Sequence, residues 1–440
     1  MLLTYIHTKM NVNDQFSTAV EIRNRDFDLK EVIDAKIDQH IESKDAFYVV
    51  DLGDIVKKFA KWKSLLPRVE PFYAVKCNED TFVCQTLAAL GTGFDCASKT
   101  EIDFILNLGV TPDRVVYANP CKQMSHIRFS ADQGVAMMTF DNEEELLKVK
   151  KVYPDAKLIL RLLTPENSNC QIQLGAKFGC HPDNVAKLLN KANELELDVI
   201  GISFHVGSDC YDPTAFTDAV LSARDAFDVA SKLGFTFSLL DIGGGFPGKS
   251  NGRTTFEEIA EELSFVLDKH FPEKHGIRII AEPGRYFVSS AYTLCVSVIG
   301  KRKVISQNPQ GGSETSYMYY VNDGVYGSFL DCLLFDDYEV FPMLVKPSSK
   351  PSNTCSIWGP TCDSLDCIKE THRLPELEVG DYVMFENMGA YTMSTATTFN
   401  GMCKPQVFYV IEEQIWEQLW PLMKHNGTPA HNNNGWQDHN

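Results

Sequence analysis

The hydrophobic pattern divides the chain into two stretches with different rhythms. From about residue 46 to residue 282, short apolar runs alternate with segments whose apolar positions recur every three or four residues. The runs are 47–50, 72–75, 93–96, 115–118, 137–140, 158–161, 202–206, 239–242 and 279–282. Amphipathic spacers at 54–65, 143–151, 183–195, 214–233 and 255–270 predict helices. Near-continuous apolar runs are strands buried on both faces, so the sheet they form is parallel and covered by helices. About eight such units over about 240 residues predict a (β/α)8 TIM-like barrel.

After Glu282 the rhythm changes. Strand-like runs at 292–305, 317–326, 338–345, 355–359, 381–386 and 406–411 follow one another across turns, which predicts a β-sheet domain. One helical pattern, 411–420, comes after them. The first 40 residues are polar and mixed, and the tail from Asn426 is rich in Asn, Gly and His, the composition of a mobile end.

Composition narrows the function classes. Lys plus Arg is 41 against 59 for Asp plus Glu, a net charge of −18. Phosphate-backbone binding needs a basic surface, so nucleic acid is excluded as the main partner. A cationic substrate is compatible, because excess negative charge steers it inward. No apolar run reaches the roughly 18 residues of a membrane span, and the start lacks the basic-then-apolar order of a signal peptide. The 13 cysteines are dispersed, odd in number and free of C-x-x-C pairs, which predicts reduced thiols in a cytoplasmic protein.

Candidate chemistry lies where strands meet loops, the catalytic end of a parallel barrel. Those positions hold Lys76, Asp95, Asn119, Arg161, His205, Gly243, Gly244, Gly245 and Glu282. A lysine after Phe-Tyr-Ala-Val has its amine beside an apolar strand end, and desolvation there lowers its pKa toward a usable nucleophile. Taken alone it could equally be a lysine snorkelling to the surface. The run Leu239-Leu240-Asp241-Ile242-Gly243-Gly244-Gly245 ends in a turn whose backbone N–H groups can approach a phosphate. It has neither dinucleotide nor P-loop spacing, and a glycine turn without a ligand is the alternative. Glu282-Pro283-Gly284-Arg285 adds a carboxylate and a guanidinium. Lysine, phosphate turn, arginine and carboxylate together fit pyridoxal 5'-phosphate, with the carboxylate holding the ring nitrogen protonated.

Six segments, in order, resemble the eukaryotic ornithine decarboxylases. They are 71–78 (PFYAVKCN), 205–208 (HVGS), 241–246 (DIGGGF), 282–285 (EPGR), 359–363 (GPTCD) and 386–391 (ENMGAY), and the resemblance runs from about residue 20 to 411. It implies a group IV pyridoxal phosphate-dependent decarboxylase with an alanine-racemase-like barrel and a β domain made from both chain ends. The implied division is 1–44 contributing to the β domain, 45–283 as the barrel, 284–424 as the C-terminal β domain and 425–440 as a tail. The implied activity converts L-ornithine to putrescine and CO2, the first step of polyamine biosynthesis, in a head-to-tail homodimer with shared sites.

Carried onto matching positions, the resemblance makes Lys76 the Schiff-base lysine, stacks His205 on the pyridine face and pairs Glu282 with the ring nitrogen. Ser208, Gly245, Arg285 and Tyr391 would hold the phosphate, with Gly243, Gly244 and Gly284 in the same cofactor shell. Asp95 and Arg161 would lie near the imine and the ring hydroxyl. Cys362 of a partner subunit would protonate the carbanion, and Asp363 with Asp336 would face the distal amine of the substrate. Read singly, Cys362 could be a structural thiol, His205 a core histidine, and Asp336 and Asp363 turn residues. The segment 117–147, with Lys122 and 137–141, resembles the antizyme-binding part of the animal enzymes, which makes antizyme a candidate partner.

Two positions depart from the family pattern. Asp209 stands where glycine is usual, and it is expected to point to solvent, away from the phosphate. Leu330 and Asp331 occupy a stretch where one residue is expected, which could shift the register to Asp336. Two other readings remain: a catalytically inactive antizyme-inhibitor-like regulator, and a decarboxylase of lysine or another amino acid. A dead homologue is expected to lack some of Lys76, Asp95, Arg161, His205, Cys362 and Asp363, and all are present.

Overall fold

The computed structural model describes residues 19–39, 42–164, 170–172, 175, 177–249, 254–307, 313–335 and 338–426. In chain order its strands begin with β1 (Val20–Arg23), β2 (Phe47–Asp51), β3 (Val69–Ala74), β4 (Gly93–Cys96), β5 (Val115–Tyr117), β6 (Met137–Phe140) and β7 (Lys157–Arg161). They continue with β8 (Cys170–Ile172), β9 (Asp198–Ser203), β10 (Ser208–Cys210), β11 (Leu239–Asp241) and β12 (Arg278–Ala281). The later strands are β13 (Tyr292–Gln307), β14 (Ser313–Val321), β15 (Met343–Leu344), β16 (Ser352–Trp358), β17 (Cys367–Pro375), β18 (Tyr382–Phe385) and β19 (Gln406–Glu412).

Eight of these close a parallel barrel in the order β3, β4, β5, β6, β7, β9, β11 and β12, with β12 pairing back onto β3. The predicted spacers appear as helices at Leu52–Leu65, Glu143–Val152, Val185–Glu194, Pro213–Lys232 and Phe256–His270. Their starts follow from local chemistry. Asn142 caps the Glu145 N–H, and Thr255 and Glu258 form a reciprocal capping box.

The first apolar run departs from expectation. β2 is not a barrel strand, so the segment 45–283 contributes one strand to the other sheet, and the barrel's own strands begin at Val69. That second sheet runs β1-β19-β2-β13-β14-β16-β17, with β18 on β13 and β15 on β18. β19 lies parallel between β1 and β2, which stitches the N-terminal segment to the C-terminal third. A fully buried run such as β2 carries no mark of which sheet receives it. The stretch 338–345 is a strand only at Met343–Leu344, and β17 extends the sheet where no run was recognised. The last helix is Glu413–Asn426, and the expected mobile tail beyond it lies outside the described residues.

The expectation of thiols that are all reduced fails at one pair. β8 and β10 are antiparallel, and Cys170 stands directly opposite Cys210 with Cα atoms 4.0 Å apart. Their sulfurs form a disulfide, while the other 11 cysteines are free. Cross-strand proximity of residues 40 apart is a tertiary fact that dispersed cysteines do not advertise. Among the described residues no helix is long and apolar enough to cross a membrane.

Trp62 ties the barrel wall to the catalytic end. It is fully buried, stacks on Phe256, meets Phe246 and Tyr286 edge-on, and donates from Nε1 to the Val69 carbonyl at 3.0 Å. Phe246 follows the triple glycine and Tyr286 follows Arg285, so one side chain braces both loops. Replacing Trp62 with Ala is expected to cost about 3–5 kcal/mol of stability, seen as a lowered denaturation midpoint. Phe265→Ala, at a side chain 67% exposed, is expected to change it by under about 0.5 kcal/mol.

Candidate functional site

The strand ends of one barrel face bring the expected residues together. Lys76 sits in the single turn Val75–Cys77 directly after β3, Asp95 lies on β4, and Arg161 is the last residue of β7. His205 follows β9, Asp241 ends β11, and Glu282 follows β12. This is the C-terminal end of a parallel barrel, where strand ends diverge and side chains face a common mouth.

The Lys76 ammonium donates to Asp95 Oδ2, and 39% of the lysine side chain is accessible while the aspartate is wholly buried. The expected lowering of the lysine pKa is not observed. Burial does favour the neutral amine, but the Asp95 carboxylate, with Tyr391 and Glu282 beyond it, outweighs burial and holds Lys76 above its ordinary value. Lys76 is therefore a paired ammonium.

Glu282 and Asp241 form a buried carboxyl pair. Burial raises both; Asp241 then raises Glu282 by its charge and by their shared hydrogen bond, that bond lowers Asp241, and the charge of Asp95 raises each of them. Asp241 also accepts the Gly243 N–H at 2.9 Å, which fixes the start of the glycine turn. Asp241 is a site residue beyond those expected from the sequence. A charge inside the apolar run Leu239-Leu240-Asp241-Ile242 is the signal that marks it.

His205 is held neutral: burial lowers its pKa well below the usual value, and the charges of Arg161 and Lys76 lower it further. Its Nδ1 accepts the Gly207 N–H at 3.1 Å, so the proton resides on Nε2. Gly244 lies close by, where a Cβ would come 2.8 Å from His205 Nε2 and 2.7 Å from the Glu282 carbonyl. Gly245 has φ +112°, and a Cβ there would strike Val206 and the Gly207 carbonyl. Arg161 sits over the Phe178 ring at 5.4 Å.

At the other end of the mouth Arg285 is 7% exposed. Its Nε donates to Ser208 Oγ at 3.0 Å, and its guanidinium lies 4.7 Å from the Tyr391 ring centre. Tyr391 has φ +54°, a conformation that non-glycine residues adopt at a cost, and its N–H is held by the Cys77 carbonyl at 2.9 Å. Gly284 leaves no room for a Cβ, which would meet Cys77 at 2.8 Å.

The two departures acquire physical form here. Asp209 has φ +52°, which explains a family glycine at this position. Contrary to expectation it does not simply face water. It is half-buried, accepts from Tyr211 Oη at 3.2 Å, and its charge acts on Arg285. Asp331 lies on the short helix Leu330–Leu334 and pairs with Arg285 at 3.1 Å.

Cys362 and Asp363 lie elsewhere, on an exposed loop of the second domain. Asn400 Oδ1 accepts the Cys362 N–H at 3.0 Å. Asp363 accepts from Tyr326 Oη, and that bond, with one from the Leu365 N–H, holds its pKa below the usual carboxylate range. Neither makes a hydrogen bond or ion pair with the Lys76 group among the described residues. Asp366, unmarked in the sequence reading, fixes the loop by accepting from the Val325 and Thr361 N–H groups, each at 2.9 Å. Asp336 lies outside the described residues. Lys122 and 137–140, marked for antizyme, are interior: Lys122 is buried against Glu145 and the Thr139 carbonyl, and 137–140 is barrel strand β6.

Pyridoxal phosphate fits these residues. The mouth holds an accessible amine, a buried carboxyl without a cation of its own, a neutral imidazole, and a guanidinium beside a hydroxyl. Gly244 keeps clear a cradle that a methyl group would fill. Among the described residues the buried Asp95 Oδ1 atom has no hydrogen-bond partner, an acceptor that calls for a donor from a guest.

Comparison with known proteins agrees. The family model described as the pyridoxal-binding domain of pyridoxal-dependent decarboxylases matches residues 52–289. The chain is 51% identical over 418 residues to the ornithine decarboxylase of Mus musculus, covering 93% of this chain and 90% of that one. It is 50% identical over 402 residues to antizyme inhibitor 2 of Xenopus laevis, covering 90% and 88%. The arginine decarboxylase of the Paramecium bursaria Chlorella virus superposes with a TM-score of 0.81 at 35% identity, over 87% of this chain and all of that one. Barrel, second sheet, strand-end constellation and sequence kinship converge: the chain belongs to the eukaryotic ornithine decarboxylase family, the amino-acid decarboxylases that use pyridoxal phosphate on an alanine-racemase-like barrel.

Proposed function

We propose that this chain converts L-ornithine to putrescine and CO2, the first step of polyamine biosynthesis, as a head-to-tail homodimer whose sites are built from both subunits. The observation that carries the reading is the Lys76 amine set against Asp95 and Glu282 at the barrel mouth. When bound, pyridoxal phosphate supplies an electron sink for the pair left on Cα as CO2 departs.

The chain's own residues divide the remaining work. Lys76 would offer the amine that takes the cofactor's aldehyde carbon, and Asp95 is the carboxylate paired with that amine. Glu282, which makes no ion pair among the described residues, would pair with the ring nitrogen, and that partner would offset the cost of its burial. Neutral His205 would pack on the ring, and Arg161 would serve the ring hydroxyl. Gly243, Gly244, Gly245, Gly284, Ser208, Arg285 and Tyr391 bind the phosphate end. Cys362 of a second copy gives a proton to Cα, and Asp363 of that copy, with Asp336, accepts the distal ammonium.

The exposure of the Cys362 loop supports a shared site. Leu365 is 59% and Phe399 43% exposed beside it, an apolar surface suited to a second copy of the chain. Arginine and lysine decarboxylases share the fold, so the substrate turns on how far the partner's carboxylates lie from Cα. One methylene changes binding by only about 1–3 kcal/mol. The antizyme-inhibitor relative raises the second reading, a regulator without activity. The presence of Lys76, Asp95, Arg161, His205, Cys362 and Asp363 favours the enzyme. Antizyme as a partner rests on the resemblance of 117–147 alone, through its exposed positions such as Gln123, Met124 and Arg128.

With added pyridoxal phosphate, labelled CO2 is expected to leave carboxyl-labelled ornithine faster than lysine or arginine. No release from any of the three would favour the regulator, and faster release from lysine would change the substrate. Mixing Lys76→Ala with Cys362→Ala subunits is expected to restore up to about a quarter of activity, since half the dimers are mixed and one of their two sites is intact. No recovery despite subunit exchange would remove the shared site. Covalent cofactor uptake, followed by stopped-flow absorbance, is expected to quicken as pH rises, because Lys76 is an ammonium until its raised pKa is approached. Asp95→Asn removes the counter-charge, so uptake at neutral pH is expected to become faster than in the parent chain.

A further inference from the structure

The phosphate end of the site contains a carboxylate that the reaction above does not use. Asp331 is 8% exposed and its Oδ2 lies 3.1 Å from Arg285 Nη2. The same guanidinium donates from Nε to Ser208 Oγ and lies against the Tyr391 ring. Arg285, Ser208 and Tyr391 are the side chains that would receive the cofactor's phosphate. An anion from the chain itself therefore already takes one edge of the guanidinium they share, through Nη2.

The surroundings make this costly to share. Besides Arg285, the titratable groups acting on or sensing Asp331 are Asp209, Cys77, Cys332 and Tyr338. None of these four is a cation. Asp209 adds a second negative charge that reaches both Asp331 and Arg285. A phosphate monoester brings roughly −1.5 to −2 of charge at neutral pH into the same space. Guanidinium groups bind carboxylate and phosphate through the same fork of N–H donors, so the two anions compete for one partner.

We propose that Asp331 is an internal competitor for the phosphate: it occupies Arg285 in the cofactor-free chain, and phosphate binding requires that pair to be surrendered. The inference rests on the use of pyridoxal phosphate by this family and is independent of which amino acid is decarboxylated. The apparent affinity is then the intrinsic one reduced by the fraction of molecules in which Arg285 is free. Only the phosphate end is affected. Pyridoxal, which lacks the phosphate, meets the same amine, imidazole and carboxyl pair without meeting Asp331.

The test compares equilibrium binding of pyridoxal phosphate and of pyridoxal to the cofactor-free full-length chain, read by absorbance and by dialysis. Asp331→Asn keeps the shape and removes the charge. Asp331→Ala is a second variant, suited to a helix if the amide is poorly tolerated. Thermal melts of the cofactor-free proteins establish that each is folded. Both variants are expected to bind pyridoxal phosphate about tenfold more tightly than the parent, with pyridoxal affinity unchanged. Unchanged or weaker binding of pyridoxal phosphate would overturn the proposal and make Asp331 a residue that orients Arg285. Equal gains for both ligands would also overturn it, because the effect would not then belong to the phosphate.

Discussion

The site depends on one electrostatic constraint: a single ammonium among buried carboxyls at the open end of the barrel. Asp95, Asp241 and Glu282 lie on or just after three strands, and Lys76 follows a fourth. Burying three acids is unfavourable unless cations or protons compensate. Lys76 compensates Asp95 directly, and within the Asp241–Glu282 pair burial raises both carboxyls while the neighbouring Asp241 raises Glu282 further, so Glu282 retains the proton. The arrangement leaves a buried protonated carboxyl and a paired ammonium at one mouth. The barrel holds these groups on rigid strand ends, where hydrogen bonds between strands fix their separation.

The second sheet gives the barrel a neighbour built from both ends of the chain. β19 between β1 and β2 means that the N-terminal segment cannot finish folding before the C-terminal third is present. The same sheet carries the loop of Cys362 and Asp363, fixed through Asp366 and the cramped Gly324 and Gly359, where a Cβ would meet the Asp366 carboxylate. The loop presents an exposed thiol, Cys362, beside exposed Leu365.

Much of the barrel was legible because its period is strong. Eight of the nine apolar runs became barrel strands, since a strand covered on both faces must be apolar throughout. The ninth, β2, reads identically and was misassigned because a buried strand of either sheet obeys the same rule. That Lys76, Asp95, Arg161, His205 and Glu282 share one end of the barrel was legible because a polar residue at a strand end interrupts an apolar run. Asp331 and Asp366 could not, since an acid in a loop-rich segment is ordinarily solvated. The direction of the Lys76 shift was misjudged for a related reason. Desolvation follows from a local apolar sequence, whereas the opposing carboxylates come from strands far along the chain.

The sequence alone therefore determined the barrel, the all-β second part and the inventory of reactive groups, because these are written in periodicity and in residues next to one another. Tertiary structure decided which sheet received β2, that Cys170 faces Cys210, and that Asp209 and Asp331 converge on Arg285. Those outcomes depend on distances between segments remote in sequence, and Coulomb and packing forces act on distance in space.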